Sequence, residues 1–217
     1  MARGRRLLAR LRRVPISIGY YRGPMLMSRL RKWWVLMRNP DADIRFGEGT
    51  YLGPGFSLHA PFGGTFVTGR GVEFRRNFRA ELGGPDSRIE FGSRCVCTYD
   101  VLMQCGTSIT IGDRCMFGQA TLVVDGNHRF RDLDRPMLEQ GYDFRSIHID
   151  DDVTITTKCT IIADVGRRAF VGANAVVTRP IPAYTVAGGV PARPIDYFGP
   201  EDARPAELSG RHSDTSS

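Results

Sequence analysis

The chain has no apolar run that reaches the ~18 residues a membrane-spanning helix needs. Its first 40 residues lack acid altogether and carry eleven Arg or Lys, which leaves 19 of the 30 basic residues against all 23 acidic ones. The body is therefore slightly acidic, and the sequence pI of about 9.5 describes the leader alone. A nucleic-acid-binding reading of the whole chain fails on that distribution. A secretory signal fails too, because Arg, Pro15 and Gly19 break the apolar stretches and no cleavage site follows.

What the leader does contain is an alternation. Basic clusters (Arg3, Arg5, Arg6; Arg10, Arg12, Arg13; Arg29, Arg31, Lys32) are separated by apolar groups, among them Met25, Leu26, Met27 and Trp33, Trp34, Val35, Leu36, Met37. Arg attracts anionic lipid and Trp suits the headgroup boundary, so residues 1–40 read as a basic, partly helical amphipathic arm able to make peripheral membrane contact. A solvated arm, or a helix packed on the base of the folded body, is equally compatible with the composition. Residues 199–217, rich in Pro, Ser and charge, read as a disordered tail.

Beyond the leader, eighteen residues form six triplets at a spacing of six: Phe46, Leu52, Leu58; Thr68, Phe74, Ala80; Phe91, Cys97, Met103; Ile111, Phe117, Val123; Ile149, Ile155, Ile161; Val165, Val171, Val177. All but Thr68 are apolar. Six is the period of neither a helix nor an alternating strand, and it predicts short strands that turn a corner every six residues, three corners to a coil. Glycine follows eight of the triplet residues (47, 53, 69, 92, 112, 118, 166 and 172), where it would supply the positive φ of a tight corner. Small or β-branched residues mostly stand four beyond the first two members of each triplet, and they would fill the coil. Cys95, Cys97, Cys115 and Cys159 fall on such core positions and Cys105 in a corner loop, so the five cysteines behave as small buried hydrophobes of a reducing compartment. Cys95 and Cys97 point to different places on a strand and make poor joint metal ligands.

Over roughly residues 44–195 this pattern resembles the hexapeptide-repeat acyltransferase family. The resemblance implies an all-β fold, a left-handed parallel β-helix of about six coils spanning 41–198, with stacked strands about 4.8 Å apart. It also implies a cyclic homotrimer whose active sites form between neighbouring subunits.

The step from Val123 to Ile149 takes 26 residues where six would suffice, and such an excursion (124–148) is usually functional. In the family's sugar and antibiotic acetyltransferases an extruded loop carries the catalytic histidine, 17 residues beyond the aliphatic residue of an Ile-Gly-Asp coil. Ile111, Gly112 and Asp113 open this coil and His128 lies 17 beyond, so the resemblance makes His128 the general base. The chemistry requires one, since an alcohol must lose its proton as it attacks a thioester. Asp125 and Glu139 are loop acids that could orient the imidazole, and the sequence does not choose between them. His59 and His148 flank core residues and point outward. The related γ-carbonic anhydrases need three zinc-binding histidines, two of them five apart, a spacing that 59, 128, 148 and 212 do not offer.

The closing stretch VGANAVVTRPIPAYTVAGGVPARPI resembles the family's coenzyme A end. By that likeness, backbone near Thr157 and Ala173 would meet the pantetheine arm, and Thr178, Arg179 and Arg193 the phosphates, for which the planar Arg fork is apt. Thr98, Tyr99 and Asp100 stand where relatives present acceptor-binding side chains, although the amide residue expected near Thr98 is absent. Two departures stand out: Thr154, Ile155, Thr156 replace the usual Trp-Ile-Gly, and the turn between Ile161 and Val165 is two residues short, which predicts a shifted or bulged last coil.

The reading is an enzyme of the cytoplasm, peripheral at the inner face of the plasma membrane. It would be an O-acyltransferase moving an acetyl group from acetyl-CoA, or another short acyl group from its coenzyme A thioester, to a hydroxyl of a sugar, polysaccharide or glycolipid, with no metal. The competing reading is a noncatalytic β-helix scaffold or regulatory subunit.

Overall fold

Each triplet residue pairs with its counterpart in the next winding. The computed structural model describes residues 23–205 and Leu208. It stacks the short strands into three parallel ladders. One face holds β1 (Ala42–Phe46), β4 (Gly64–Thr68), β7 (Arg88–Phe91), β10 (Ser108–Ile111) and β15 (Ile147–Ile149). A second holds β2 (Tyr51–Leu52), β5 (Glu73–Phe74), β8 (Val96–Cys97), β11 (Met116–Phe117), β16 (Thr154–Ile155), β18 (Phe170–Val171) and β20 (Thr185–Gly189), then β21 (Ala192–Tyr197), which folds back antiparallel. The third holds β3 (Ser57–His59), β6 (Arg79–Leu82), β9 (Leu102–Cys105), β12 (Leu122–Val124), β17 (Thr160–Ile161) and β19 (Val176–Val177). Phe46, Thr68, Phe91, Ile111 and Ile149 stand in one register column, which isolated bridges extend through Val165 to Ile181.

The core follows from that register. Apart from the half-buried Phe46, the triplet side chains are buried, and the residues four beyond the first two of each triplet join them, Phe56 alone being partly exposed. Phenylalanines crowd the first coils, with Phe74 and Phe78 at 4.4 Å and Phe56 stacked on Phe78 at 5.4 Å, whereas Ile, Val, Ala and Cys fill the last ones. Burying each such large side chain is worth about 1.5–3 kcal/mol, so the stack is held by many equal contributions rather than one centre.

The corner glycines have a different reason from the one the sequence suggests. None of the eight has a positive φ; the left-handed residue of each tight corner comes two positions later and is glycine only at 49, 55 and 71. Elsewhere it is Asn77, Arg94, Asp100, Arg114, Ala120, Asp152, Lys158, Arg168, Asn174 or Tyr184, at φ 56–60°. Each of these is pinned by its own amide, as Arg94 N–H donating to the Arg70 carbonyl at 2.7 Å and Lys158 N–H to that of Gln119 at 2.7 Å. Seven of the eight glycines are needed because neighbouring coils touch there: a Cβ on Gly53 would lie 2.5 Å from the Arg75 carbonyl oxygen, and one on Gly118 2.5 Å from the Thr156 carbonyl carbon. Gly172, whose nearest such neighbour is at 3.4 Å, is the one with room.

The last coil is not shifted. Val165, Val171 and Val177 align with Ile149, Ile155 and Ile161. The short corner holds because the Asp164 carboxylate accepts the His148 N–H at 2.8 Å while Ile181 N–H donates to the Asp164 carbonyl at 3.0 Å.

Both ends of the stack are partly covered, the top by β21 against β20. At the base lies the helix α1 (Gly23–Arg38), whose Ser28 hydroxyl accepts the Leu52 N–H at 2.8 Å and whose Arg31 donates to the Leu52 carbonyl at 2.9 Å. Buried Asn39 then bonds the Val35 and Leu58 carbonyls and the Ala60 N–H. The described part of the leader is thus a helix packed on the base; residues 1–22 lie outside the described residues, as does the tail beyond Pro205 except Leu208. The start of the tail is folded: Tyr197 donates to the Pro200 carbonyl at 2.8 Å and the Arg204 guanidinium sits over the Tyr197 ring. Among the described residues no helix is long and apolar enough to cross a membrane.

Candidate active site

The excursion from the coil is an ordered hairpin. β13 (Gly126–His128) pairs antiparallel with β14 (Tyr142–Phe144), placing His128 opposite Tyr142. The two rings lie 4.3 Å apart between centroids, and Tyr142 stacks on Phe144 at 5.5 Å. Phe144 packs so closely on Gly106 and Gly126 that a Cβ at either would collide with its ring, so these two glycines let the aromatic column lean against the prism.

Asp125 anchors the neck of this hairpin. Its carboxylate is buried and accepts the backbone N–H groups of Gly106 (2.7 Å), Thr107 (2.7 Å) and Ser108 (3.0 Å), and its carbonyl accepts the Arg145 N–H at 2.7 Å. With its oxygens spent on the corner of the preceding coil, Asp125 does not orient His128. Glu139, exposed in a short 3-10 turn (Met137–Glu139), lines neither cleft beside His128. The distal loop is clamped instead by Gln140, whose amide donates to the Asp132 and Arg135 carbonyls at 2.8 Å and accepts the Asp132 N–H at 3.0 Å.

His128 stands between two clefts. One, about 680 Å³, is walled by Gly126, Asn127, Tyr142, Phe144 and Cys105 and floored by Glu81 and Gln104, which hydrogen-bond each other at 2.8 Å. That volume suits a small-molecule site. The other, about 310 Å³, lies within the distal loop, lined by Arg129, Arg131 and Arg135 together with Asp132 and Asp143, the last paired with Arg129 at 2.6 Å. Sequence reasoning missed Glu81, Gln104, Tyr142 and Phe144. The first two were discoverable, since each follows the third member of a triplet and so faces outward beside the excursion; the aromatic pair lies in the irregular loop, where no period points to it.

Thr98, Tyr99 and Asp100 do not line the cleft of their own chain. They occupy the corner between the second and third faces, where Thr98 Oγ donates to the Phe117 carbonyl and Asp100 accepts from Asn77. Thr157 and Ala173 stack in that same column, exposed, with Asn174 N–H bonding the Thr157 carbonyl at 3.0 Å. Thr178 and Arg179 lie at the opposite edge, the one that carries the His128 hairpin, and Arg193 lies on the returning strand β21. Thr178, Arg179 and Arg193 are exposed, and neither Arg pairs with a carboxylate among the described residues, which fits them to phosphate. Within one chain, then, the imidazole and the Thr157–Ala173 corner sit on different edges, separated by the third face.

Cys105 is the one thiol at the cleft, and burial together with the Asp125 carboxylate pushes it up to about 12. It is protonated near neutrality and so a poor nucleophile. Native protein treated with iodoacetamide at pH 8 is expected to leave Cys105 unmodified by mass spectrometry, and unfolded protein to alkylate it; rapid native labelling would contradict this geometry. Among the described residues no cluster of His, Cys, Asp or Glu could hold a metal ion.

No protein-family model matches the chain. The Mycobacterium tuberculosis protein named "Probable acetyltransferase Rv3034c" is 29% identical over 175 residues, 76% of this chain and 56% of its own. A Schizosaccharomyces pombe protein is 33% identical over 110 residues, 49% and 52% respectively. The chain thus spans about half the length of the curated relatives it matches. Among solved structures, a hexapeptide-repeat-containing acetyltransferase from Vibrio cholerae is 28% identical with a TM-score of 0.52, over 70% of this chain and 76% of that one. An N-acyltransferase from Bacillus cereus, solved with a nucleotide amino sugar and coenzyme A, shares the fold at a TM-score of 0.62 and 16% identity, over 81% and 91%.

Proposed function

We infer, from a chain that belongs with the hexapeptide-repeat acyltransferases in repeat pattern and fold, that this protein transfers an acyl group, most simply acetyl, from coenzyme A to a sugar hydroxyl. The observation that carries the reading is His128, held beside the Tyr142 ring between a cleft that Glu81 and Gln104 line and a second one of mixed charge.

The acceptor, a sugar unit that is free or part of a polysaccharide or glycolipid, enters the larger cleft. Glu81 and Gln104 meet its hydroxyls and the Tyr142–Phe144 column offers an apolar wall to its ring. His128 takes the hydroxyl proton as the oxygen attacks the thioester carbonyl. The tetrahedral intermediate collapses, the carbon–sulfur bond breaks, and the imidazolium returns the proton to the leaving thiolate. Backbone donors steady the oxyanion, and no metal is required because a thioester is already activated.

Thr157, Ala173, Thr178, Arg179 and Arg193 would hold the coenzyme. Because the Thr157–Ala173 corner and His128 lie on different edges, the site closes best between subunits of a cyclic trimer, the imidazole of one chain facing the donor corner of the next. Thr98, Tyr99 and Asp100, on that same corner, then reach the acceptor of the neighbouring site. The same reading takes the winding as left-handed, of about six coils over residues 41–198, and the reaction as cytoplasmic, where acyl-CoA is supplied. The Vibrio cholerae relative, solved with acetyl coenzyme A, supports the choice of donor.

Release of thiol from acetyl-CoA is expected to rise on adding one class of sugar from a panel of free, polymeric and lipid-linked acceptors. No release with any acceptor, by a protein that still binds coenzyme A, would favour a scaffold without activity.

A further inference from the structure

Among the described residues, helix α1 docks through one side only. Ser28 and Val35, two turns apart, are buried against the first coil, and Arg31 reaches the Leu52 carbonyl from the same side. Opposite them Leu26, Leu30, Trp33 and Met37 follow one another at helical spacing, with Trp34 alongside. All five are exposed, Trp33 by 58% and Trp34 by 56%. Arg29 and Arg38 flank the strip, Arg38 lying over the Trp34 ring, and the helix holds no acidic residue. An apolar strip of this size on a soluble surface marks a contact site.

We propose that this strip is an in-plane membrane-docking surface whose occupant is an anionic lipid bilayer. The helix lies across the flat end of a rigid prism, so the whole strip can enter the headgroup boundary at once. There the tryptophans are favoured and the flanking arginines meet lipid phosphates. Charge argues against a second copy of the chain as occupant: two such ends face to face would bring Arg29 and Arg38 against their own kind with no carboxylate on the strip to pair them. This surface stands independently of the acyl-transfer reading, which could fail without affecting it.

The chain's two tryptophans are Trp33 and Trp34, so tryptophan emission, excited selectively over tyrosine, reports this helix alone. With the full chain, vesicles of phosphatidylcholine and phosphatidylserine are expected to shift that emission to the blue and to co-sediment the protein, and vesicles of phosphatidylcholine alone to do so far less. Raising the salt should weaken binding. R29E/R38E is expected to lower partitioning roughly 30-fold or more, from the attraction each basic residue near the surface contributes. Both positions are exposed and an unchanged circular dichroism spectrum certifies the variant's fold. Unshifted emission with the protein left in the supernatant overturns the proposal, as does equal binding by the charge-reversed variant. Emission already blue in buffer and unmoved by vesicles would show the strip covered by a second copy or by the chain's own leader, and would overturn it too.

Discussion

Replacing His128 by alanine is expected to lower kcat for acyl transfer by about 10²- to 10⁴-fold, the usual worth of a positioned general base, and to leave coenzyme A binding nearly unchanged. The side chain is exposed, and its one ring neighbour among the described residues is Tyr142, itself half exposed. Its removal therefore costs little packing, and thermal melting should move by no more than a degree or two. Imidazole added to the buffer should restore part of the rate to the alanine variant, because the cleft is open to solvent on the side where the ring was lost. A merely structural histidine would show neither the large fall in kcat nor the rescue. Equal rates for the two proteins would remove His128 from the chemistry.

Gly53→Ala is expected to destabilise the fold by about 3 kcal/mol, the upper end for forcing atoms into a packed site, because the added methyl meets backbone rather than a side chain that can swing aside. Its Cβ would stand 2.5 Å from the Arg75 carbonyl oxygen and 2.8 Å from that of Phe74, while the Gly53 N–H itself donates to Phe74 at 2.7 Å. The first and second coils must part, and that lengthens a hydrogen bond the core depends on. For a domain of this size the loss corresponds to a fall in Tm of roughly 6–12 °C. Arg94→Gly, at a φ of +59°, makes the opposite case. Relief of left-handed strain, worth about 1–2 kcal/mol, is offset by the greater freedom of glycine in the unfolded chain, so stability should change by less than about 1 kcal/mol. A Gly53→Ala cost of only about 1–2 kcal/mol, the usual penalty of a left-handed residue, alongside a costly Arg94→Gly would restore the positive-φ reading of the corner glycines.

That reversal shows where the sequence speaks and where it does not. Inward positions repeat identically in every coil, so burial writes itself into the period of six, and the register column from Phe46 to Ile149 follows from it. A glycine carries no mark of why it is there. Left-handed corners are signalled only weakly, by Gly49, Gly55, Gly71, Asn77, Asp100, Asp152 and Asn174, because at Arg94, Lys158 or Tyr184 an amide bonded to the preceding coil imposes the conformation on a residue with no preference for it.

The candidate site was legible to the same degree. His128 could be found, since a break in a regular period isolates the excursion that carries it. The role of Asp125 could not, because its partners at Gly106, Thr107 and Ser108 belong to the corner of the preceding coil. The short corner after Ile161 likewise looked disruptive in one dimension, and is absorbed by one carboxylate, Asp164, accepting an amide from the coil before it.

A stack of parallel strands is an open-ended object, and its first and last rungs carry spare amides and carbonyls that could template another molecule. Here Ser28, Arg31 and Asn39 occupy several of those groups at the bottom, and β21 turns back to pair with β20 at the top. The Leu52 rung at the bottom and β20 at the top are thereby occupied within the chain, which removes these two positions as templates for a further copy.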